Sequence, residues 1–176
     1  DFAYAATLME REASKLWLSG EAQTVHTWIQ ALPDAILWQH ARLALDAALR
    51  LLESLHATGR ASYARTQAQV EQTIARVEAV LLSQVGLTTQ PEADATLPAL
   101  PAAEAALIQR RIRLLRALIA SREILTHGDR ARMRLLAQEI GALSEDEEMR
   151  WKMIPLSITY WLTESLQREG ALLLPR

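Results

Sequence analysis

The chain has no cysteine among its 176 residues. This absence excludes disulfides, thiolate metal sites and cysteine nucleophiles, and it fits a reducing compartment, so we expect a cytoplasmic protein. There is no run of 18 apolar residues and no basic segment followed by an apolar leader, so neither a membrane span nor a signal peptide is predicted. The formal net charge of −2 offers no overall attraction to nucleic acid or anionic lipid.

Aromatic residues are also scarce, at 5% of the chain, although half of all residues are hydrophobic. Alanine and leucine dominate the composition, which favours helices over strands. The six glycines and six prolines fall mostly at the boundaries of apolar-periodic segments. These features predict an all-α protein of about seven helices.

Apolar residues at three-and-four spacing predict helices over residues 3–19, 21–31, 41–59, 61–84, 102–126, 129–143 and 144–169. The third should be buried on nearly every side, whereas the fourth should bury the single stripe formed by Val70, Ile74, Val77 and Leu81. Ser144 is the candidate N-cap of the last helix, and Pro155 should bend that helix unless the helix begins just before it.

Residues 87–101, "LTTQPEADATLPALP", contain three prolines and no helical period, which predicts a Pro-rich loop. This loop would separate a first helical-repeat segment, residues 1–86, from a second, residues 102–176. The first would hold two helix pairs, and the second would be truncated at its C-terminus. Because the chain begins with Asp1 rather than methionine, we expect it to be a fragment of a longer protein.

Glycine turns recur along the chain in "KLWLSGEAQT", "SLHATGRASY", "EILTHGDRAR" and "SLQREGALLL". Gly20, Gly59, Gly128 and Gly170 lie 39, 69 and 42 residues apart, and removing the Pro-rich segment brings the middle interval toward the others. A glycine at a helix C-terminus adopts the left-handed conformation at little cost. A period near 40 predicts antiparallel helix pairs stacked as a right-handed superhelix like that of tetratricopeptide (TPR) repeats.

The stretch "LMEREASKLWLSGEAQTVHTWIQALPDAILWQHARLALDAALRLL" resembles the region that follows the nucleotide-binding and winged-helix domains in large ATP-dependent LuxR-type transcriptional regulators, the MalT-like group. The resemblance rests on Gly20, Trp28, Ala31-Leu32-Pro33, Arg42-Leu43 and the leucines after Ala48. Residues 115–151 are similar to the continuation, with the "GD" turn and an acidic start to the next helix. These matches concern architecture, and they cover nearly the whole chain.

The resemblance implies a bacterial regulator in which a helical-repeat sensor arm lies between an ATPase switch and a C-terminal helix-turn-helix. It therefore implies ATP for the full-length protein, DNA binding only through a domain outside this chain, and a protein or small-molecule inducer as the partner. It leaves self-association of the full-length protein open. The chain contains no G-x-x-x-x-G-K-[ST] phosphate loop, so no ATP site and no cofactor are assigned to it.

His127 and Asp129 flank Gly128 and form the stretch that most resembles a chemical site. A metal would need further ligands, but His26, His40 and His56 lie in separate helices without paired spacing. The simpler interpretation is that Asp129 caps the following helix and that His127 suits the negative end of the preceding one. We therefore predict neither a catalytic nor a metal site, and the residues that bind a ligand or partner stay unknown.

Eight arginines and two acids between residues 110 and 134 give this stretch a local charge of +6. They leave open an anionic partner, although solvated faces and internal salt bridges are the simpler interpretation. The eight are Arg110, Arg111, Arg113, Arg116, Arg122, Arg130, Arg132 and Arg134.

Five tryptophans could line a sugar or peptide groove, but four of them fall on apolar stripes and are predicted to pack in the core: Trp17, Trp28, Trp151 and Trp161. Trp38, in the connection after Pro33, is the expected exposed aromatic. We predict a non-catalytic sensor or protein-interaction segment. The alternatives are a helical scaffold unrelated to transcription and, third, a helical enzyme.

Overall fold

A computed structural model describes residues 1–54, 60–87, 101–127, 129–145, 147–148, 151–152 and 164. The fold over these ranges is helical and contains no strand, which confirms the all-α prediction. The helices are α1 (Phe2–Leu18), α2 (Ala22–Gln30), α3 (Asp34–Leu37), α4 (Ala41–Ser54), α5 (Arg60–Leu87), α6 (Ala102–His127) and α7 (Arg130–Ser144). The right-handed TPR-like superhelix stays a prediction.

Several predicted features lie outside the described residues. They are most of the Pro-rich loop (residues 88–100), the turn glycines Gly59, Gly128 and Gly170, and Pro155 with most of the last predicted helix. The chain groups into two compact units, Asp1–Ile112 and Arg113–Arg176. Their boundary falls inside α6, whereas the sequence places the division at residues 87–101.

Gly20 ends α1 in the way that the turn pattern predicts, with φ at +89°. Its backbone N–H donates to Trp17 O at 3.1 Å, and the N–H of Glu21 donates to Leu16 O at 2.8 Å. These two bonds form a Schellman motif, which satisfies carbonyls at the end of the helix. The turn lets α2 pack back against α1.

Small residues on α1 bring the helices of the first unit close together. Ala6 and Ala13 are completely or almost completely buried, in a core cluster with Val25 and Ile29 of α2 and Leu43 of α4. Because alanine has only a methyl side chain, neighbouring helices approach closely at these positions.

The connection after Pro33 is more ordered than the sequence suggests. Pro33 precedes the one-turn helix α3, and its carbonyl accepts hydrogen bonds from the N–H groups of Ile36 and Leu37 at 2.9 and 3.0 Å. Proline is tolerated here because a helix N-terminus needs no donor from it. This turn of helix packs against α1 and α4.

Helices α4 and α5 form the most extensive helix pairing of the first unit. The predicted α5 stripe is buried in full, and α4 is buried on most of its circumference, as its composition predicts. The buried α4 residues are Leu43, Ala44, Leu45, Asp46, Ala48, Leu49 and Leu52.

In the second unit, Met133, Leu136 and Ile140 of α7 are buried, and so is Trp151. The prediction of Ser144 as an N-cap is wrong. Ser144 is the last residue of α7, and its Oγ donates to the carbonyl of Gly141 at 3.1 Å. The next described helical residues are Trp151 and Lys152, whose N–H groups donate to Glu148 O at 2.8 and 3.1 Å. Serine near a helix end readily bonds the preceding turn in this way.

Candidate binding groove

An apolar groove of about 480 Å³ lies along α1 in the first unit, with an aromatic wall from α2. On the side of α1 next to its buried alanine face, Leu8 is exposed, whereas Met9 and Leu16 are partly buried against the core cluster. The residues that line the groove are Ala5, Leu8, Met9, Glu12, Lys15, Leu16, Ser19 and Trp28.

Two charged residues interrupt this otherwise apolar surface. Glu12 accepts a hydrogen bond from Lys15 Nζ at 2.9 Å and another from Arg11 Nε at 2.9 Å. The bond from Lys15, followed by that from Arg11, holds the pKa of Glu12 below its ordinary value. The carboxylate is thus ionised near neutral pH. Together with Lys15, and with Arg11, which does not line the groove, it gives this part of the surface a net charge of +1.

Trp28 provides the aromatic wall and is 42% exposed. The prediction that it packs in the core is wrong. Helix α2 is only nine residues long, and it buries Val25 and Ile29 against α1 and α4, which leaves Trp28 at the edge of the covered face. Leu8 of α1 is similarly 40% exposed. The sequence signal that could have revealed the exposure of Leu8 is the width of the apolar stripe on α1, which extends beyond the buried face formed by Ala6 and Ala13.

The other tryptophans divide differently from the prediction. Trp38 is half-buried rather than exposed, because the guanidinium carbon of Arg76 lies 4.7 Å from its ring centroid. This cation–π contact joins α5 to the end of α3. Trp17 is partly buried, and Trp151 is completely buried, as predicted for a core residue. Trp161 lies outside the described residues.

Asp129 caps α7, as its position after the glycine predicts. Its Oδ1 accepts from the N–H of Arg132 at 3.1 Å. His127 is the last residue of α6. Among the described residues, no group of three or more His, Cys, Asp or Glu side chains could hold a metal ion.

Two other histidines make contacts within the first unit. His40 Nδ1 lies 3.1 Å from Glu10 Oε2, a part-buried contact that joins α1 to the start of α4. His26 Nδ1 is buried and has no hydrogen-bond partner among the described residues. Burial, followed by the charge of Arg50, lowers the pKa of His26. His56 lies outside the described residues.

The arginine-rich stretch is divided by burial. Arg111 is completely buried, and its Nη1 lies 3.8 Å from Asp46 Oδ1. Arg113 and Arg116 of α6 and Arg132 and Arg134 of α7 are exposed. Arg111 therefore cannot contribute to an anion-binding surface while the unit is folded, which lowers the accessible charge of this stretch.

No protein family, curated protein or solved structure matches the chain. None of the helices in the described part combines the length and the apolar character that crossing a membrane requires.

Proposed function

We propose that this chain is a non-catalytic sensor or protein-interaction segment of a bacterial LuxR-type transcriptional regulator, and that the α1–α2 groove is its binding surface. The single observation that supports binding best is the groove itself. Leu8 and Trp28 stay exposed in it, and Met9 and Leu16 beside them are only partly buried. Contiguous exposed apolar surface of this kind is typical of interaction sites.

The regulator part of the proposal rests on the motifs around Gly20, Trp28 and Pro33. The tight turn at Gly20 and the paired helices on either side of it suit the helical-repeat arm that the resemblance implies. In such an arm, binding of an inducer or partner shifts the full protein from an inhibited to an active arrangement. ATP hydrolysis and DNA binding would belong to domains outside this chain.

Reading the gene on both sides of this chain tests the regulator assignment. A phosphate-loop ATPase upstream and a LuxR-type helix-turn-helix downstream are expected. The lack of either one contradicts the assignment, and a helical scaffold unrelated to transcription then becomes the better explanation of the same groove.

Substitutions in the groove of the full-length regulator test its role in signalling. Leu8→Glu places a charge on the apolar surface, and Trp28→Ala removes the aromatic wall, so both should lower inducible expression from a reporter promoter. Leu82→Glu is the matched control, because Leu82 on α5 is 73% exposed and does not line the groove. Equal reporter output from the parent and both groove variants would contradict the proposal.

A further inference from the structure

The charged and hydroxyl side chains that line the α1–α2 groove already have partners within the chain. Glu12 accepts hydrogen bonds from Lys15 Nζ and Arg11 Nε, both at 2.9 Å. Ser19 Oγ donates to the carbonyl of Leu16, also at 2.9 Å. None of these groups needs a ligand as its counter-ion or hydrogen-bond partner. A charged or strongly polar ligand would lose its water in the groove without gaining a partner, and this favours an apolar ligand.

The groove is long and narrow. Its α1 residues run from Ala5 to Ser19 on one face, with neighbours three or four positions apart, which gives a length of about 21 Å at 1.5 Å per residue. The volume of about 480 Å³, spread over that length, gives a mean cross-section of about 23 Å².

This cross-section selects the shape of the ligand. An α-helix is at least about 10 Å across, so its cross-section is roughly 80 Å². Carbon atoms in contact lie about 4 Å apart, so a single alkyl chain with its hydrogens needs on the order of 20 Å². The groove therefore has the width of one extended alkyl chain and is too narrow to enclose a helix.

The walls of the groove suit such a chain. Leu8 and Trp28 are 40% and 42% exposed, and the other two large apolar lining residues, Met9 and Leu16, are partly buried against the core of the first unit. Because the core holds Met9 and Leu16 in place, this side of the groove is formed before a ligand binds. Aliphatic, thioether and indole groups gain dispersion contacts with methylene groups without requiring a particular polar pattern on the ligand.

We propose that the groove binds the alkyl chain of a small amphipathic molecule, one molecule per chain, with the polar head group left in water. The inference rests on the proposed function in taking the groove as the binding surface, and it adds the chemical class of the small-molecule inducer. The volume has room for about 16 groups of the size of a water molecule. Chains of medium length therefore fit within the groove, and the head group contributes little to the affinity.

Calorimetric titration of the full chain with 1-hexanol, 1-octanol and 1-decanol tests the proposal. Each added methylene should tighten binding about two- to fourfold, because the groove is open along one side and buries the methylene only in part. Cyclododecanol has more carbon atoms than 1-decanol, but its ring is wider than one chain, so it should bind about tenfold more weakly. Decanoate should bind within about fivefold of 1-decanol, because no unpaired cation meets its carboxylate.

Variants locate the binding to the groove. Leu8→Gln and Trp28→Ala each remove apolar contact and should weaken 1-decanol binding about fivefold. Leu82→Gln is the matched control and should leave binding unchanged, because Leu82 is exposed on α5 outside the groove. The double variant Glu12→Gln with Lys15→Gln should also leave the affinity for 1-decanol unchanged. Circular dichroism checks that every variant stays helical.

Four results would overturn the alkyl-chain inference. They are a parent that binds none of the three linear alcohols up to their solubility limits, equal affinity for cyclododecanol and 1-decanol, 1-decanol binding that survives both groove substitutions, and tight decanoate binding that Lys15→Gln abolishes. The last of these would show that the groove recognises charge.

Failure of this inference differs from failure of the proposed function. If no alcohol binds but the groove variants still lower reporter output, the proposed function stands with a different occupant. If 1-decanol binds in the groove but the gene lacks the ATPase and helix-turn-helix, the regulator assignment alone is contradicted.

Discussion

Replacing Asp46 with alanine should destabilise the first unit by about 3–5 kcal/mol, the usual cost of leaving one partner of a buried ion pair behind. The side chain of Arg111 is 0% exposed and that of Asp46 is 6% exposed. Arginine does not lose its proton in proteins, so the guanidinium charge would stay in the interior after the carboxylate is removed. The 3.8 Å separation places the carboxylate close enough to offset that charge.

Urea unfolding followed by tryptophan fluorescence measures the effect. With a slope of roughly 2 kcal/mol per molar urea, the midpoint should fall by about 1.5–2.5 M. The double variant Asp46→Leu with Arg111→Met replaces both charges by apolar groups and should lose less stability than Asp46→Ala alone. Arg113→Met is the surface control, because Arg113 is exposed, and it should stay within about 0.5 kcal/mol of the parent.

The reasoning is refuted if Asp46→Ala unfolds at the same urea concentration as the parent. It is also refuted if the double variant loses as much stability as the single variants Asp46→Leu and Arg111→Met lose together. Side chains that do not interact give additive losses of this kind.

Three further changes should be measurable in the same way. Because the pKa of His26 is lowered on folding, its contribution to stability is present above about pH 6.5 and is lost as the pH falls through the folded-state pKa. His26→Gln should therefore flatten the stability profile between pH 7.5 and 5, and an unchanged slope would contradict this. Gly20→Ala should cost about 1–2 kcal/mol of stability, because φ is +89° there. No atom lies within 4 Å of the added methyl group, so this cost is backbone strain alone, and an unchanged melting temperature would exclude it. Asp129→Ala should cost about 1 kcal/mol and Asp129→Ser much less, since serine still caps the helix; equal losses from the two would argue against capping.

Local patterns in the chain predicted much of the fold. The stripe of Val70, Ile74, Val77 and Leu81 predicted which face of α5 is buried, and Asp129 after a glycine predicted the start of α7. Both features depend on residues within a few positions of each other. Ser144 shows the limit of such signals. A serine hydroxyl at a helix end can accept from an N–H of the following turn or donate to a carbonyl of the preceding one, and here it donates to Gly141 O.

The groove could not be predicted in the same way. Leu8 and Trp28 lie on apolar stripes like those of buried residues, and only the packing of α2 and α4 on the alanine face of α1 leaves them uncovered. Trp38 was expected to be exposed but is half-buried under Arg76, which lies 38 positions away in the chain.

By itself, the sequence determined the helices that the structure describes, apart from the one-turn α3, and the apolar stripes, because helical periodicity and capping are properties of neighbouring residues. Only the tertiary structure decided that Leu8 and Trp28 are left uncovered on their apolar stripes and that Arg111 is the buried charge. Arg110, Arg111 and Arg113 are equivalent in sequence, yet Arg111 alone of these three is buried, and it lies against Asp46. Burial depends on what another helix brings to that surface, and this cannot be worked out from either segment alone.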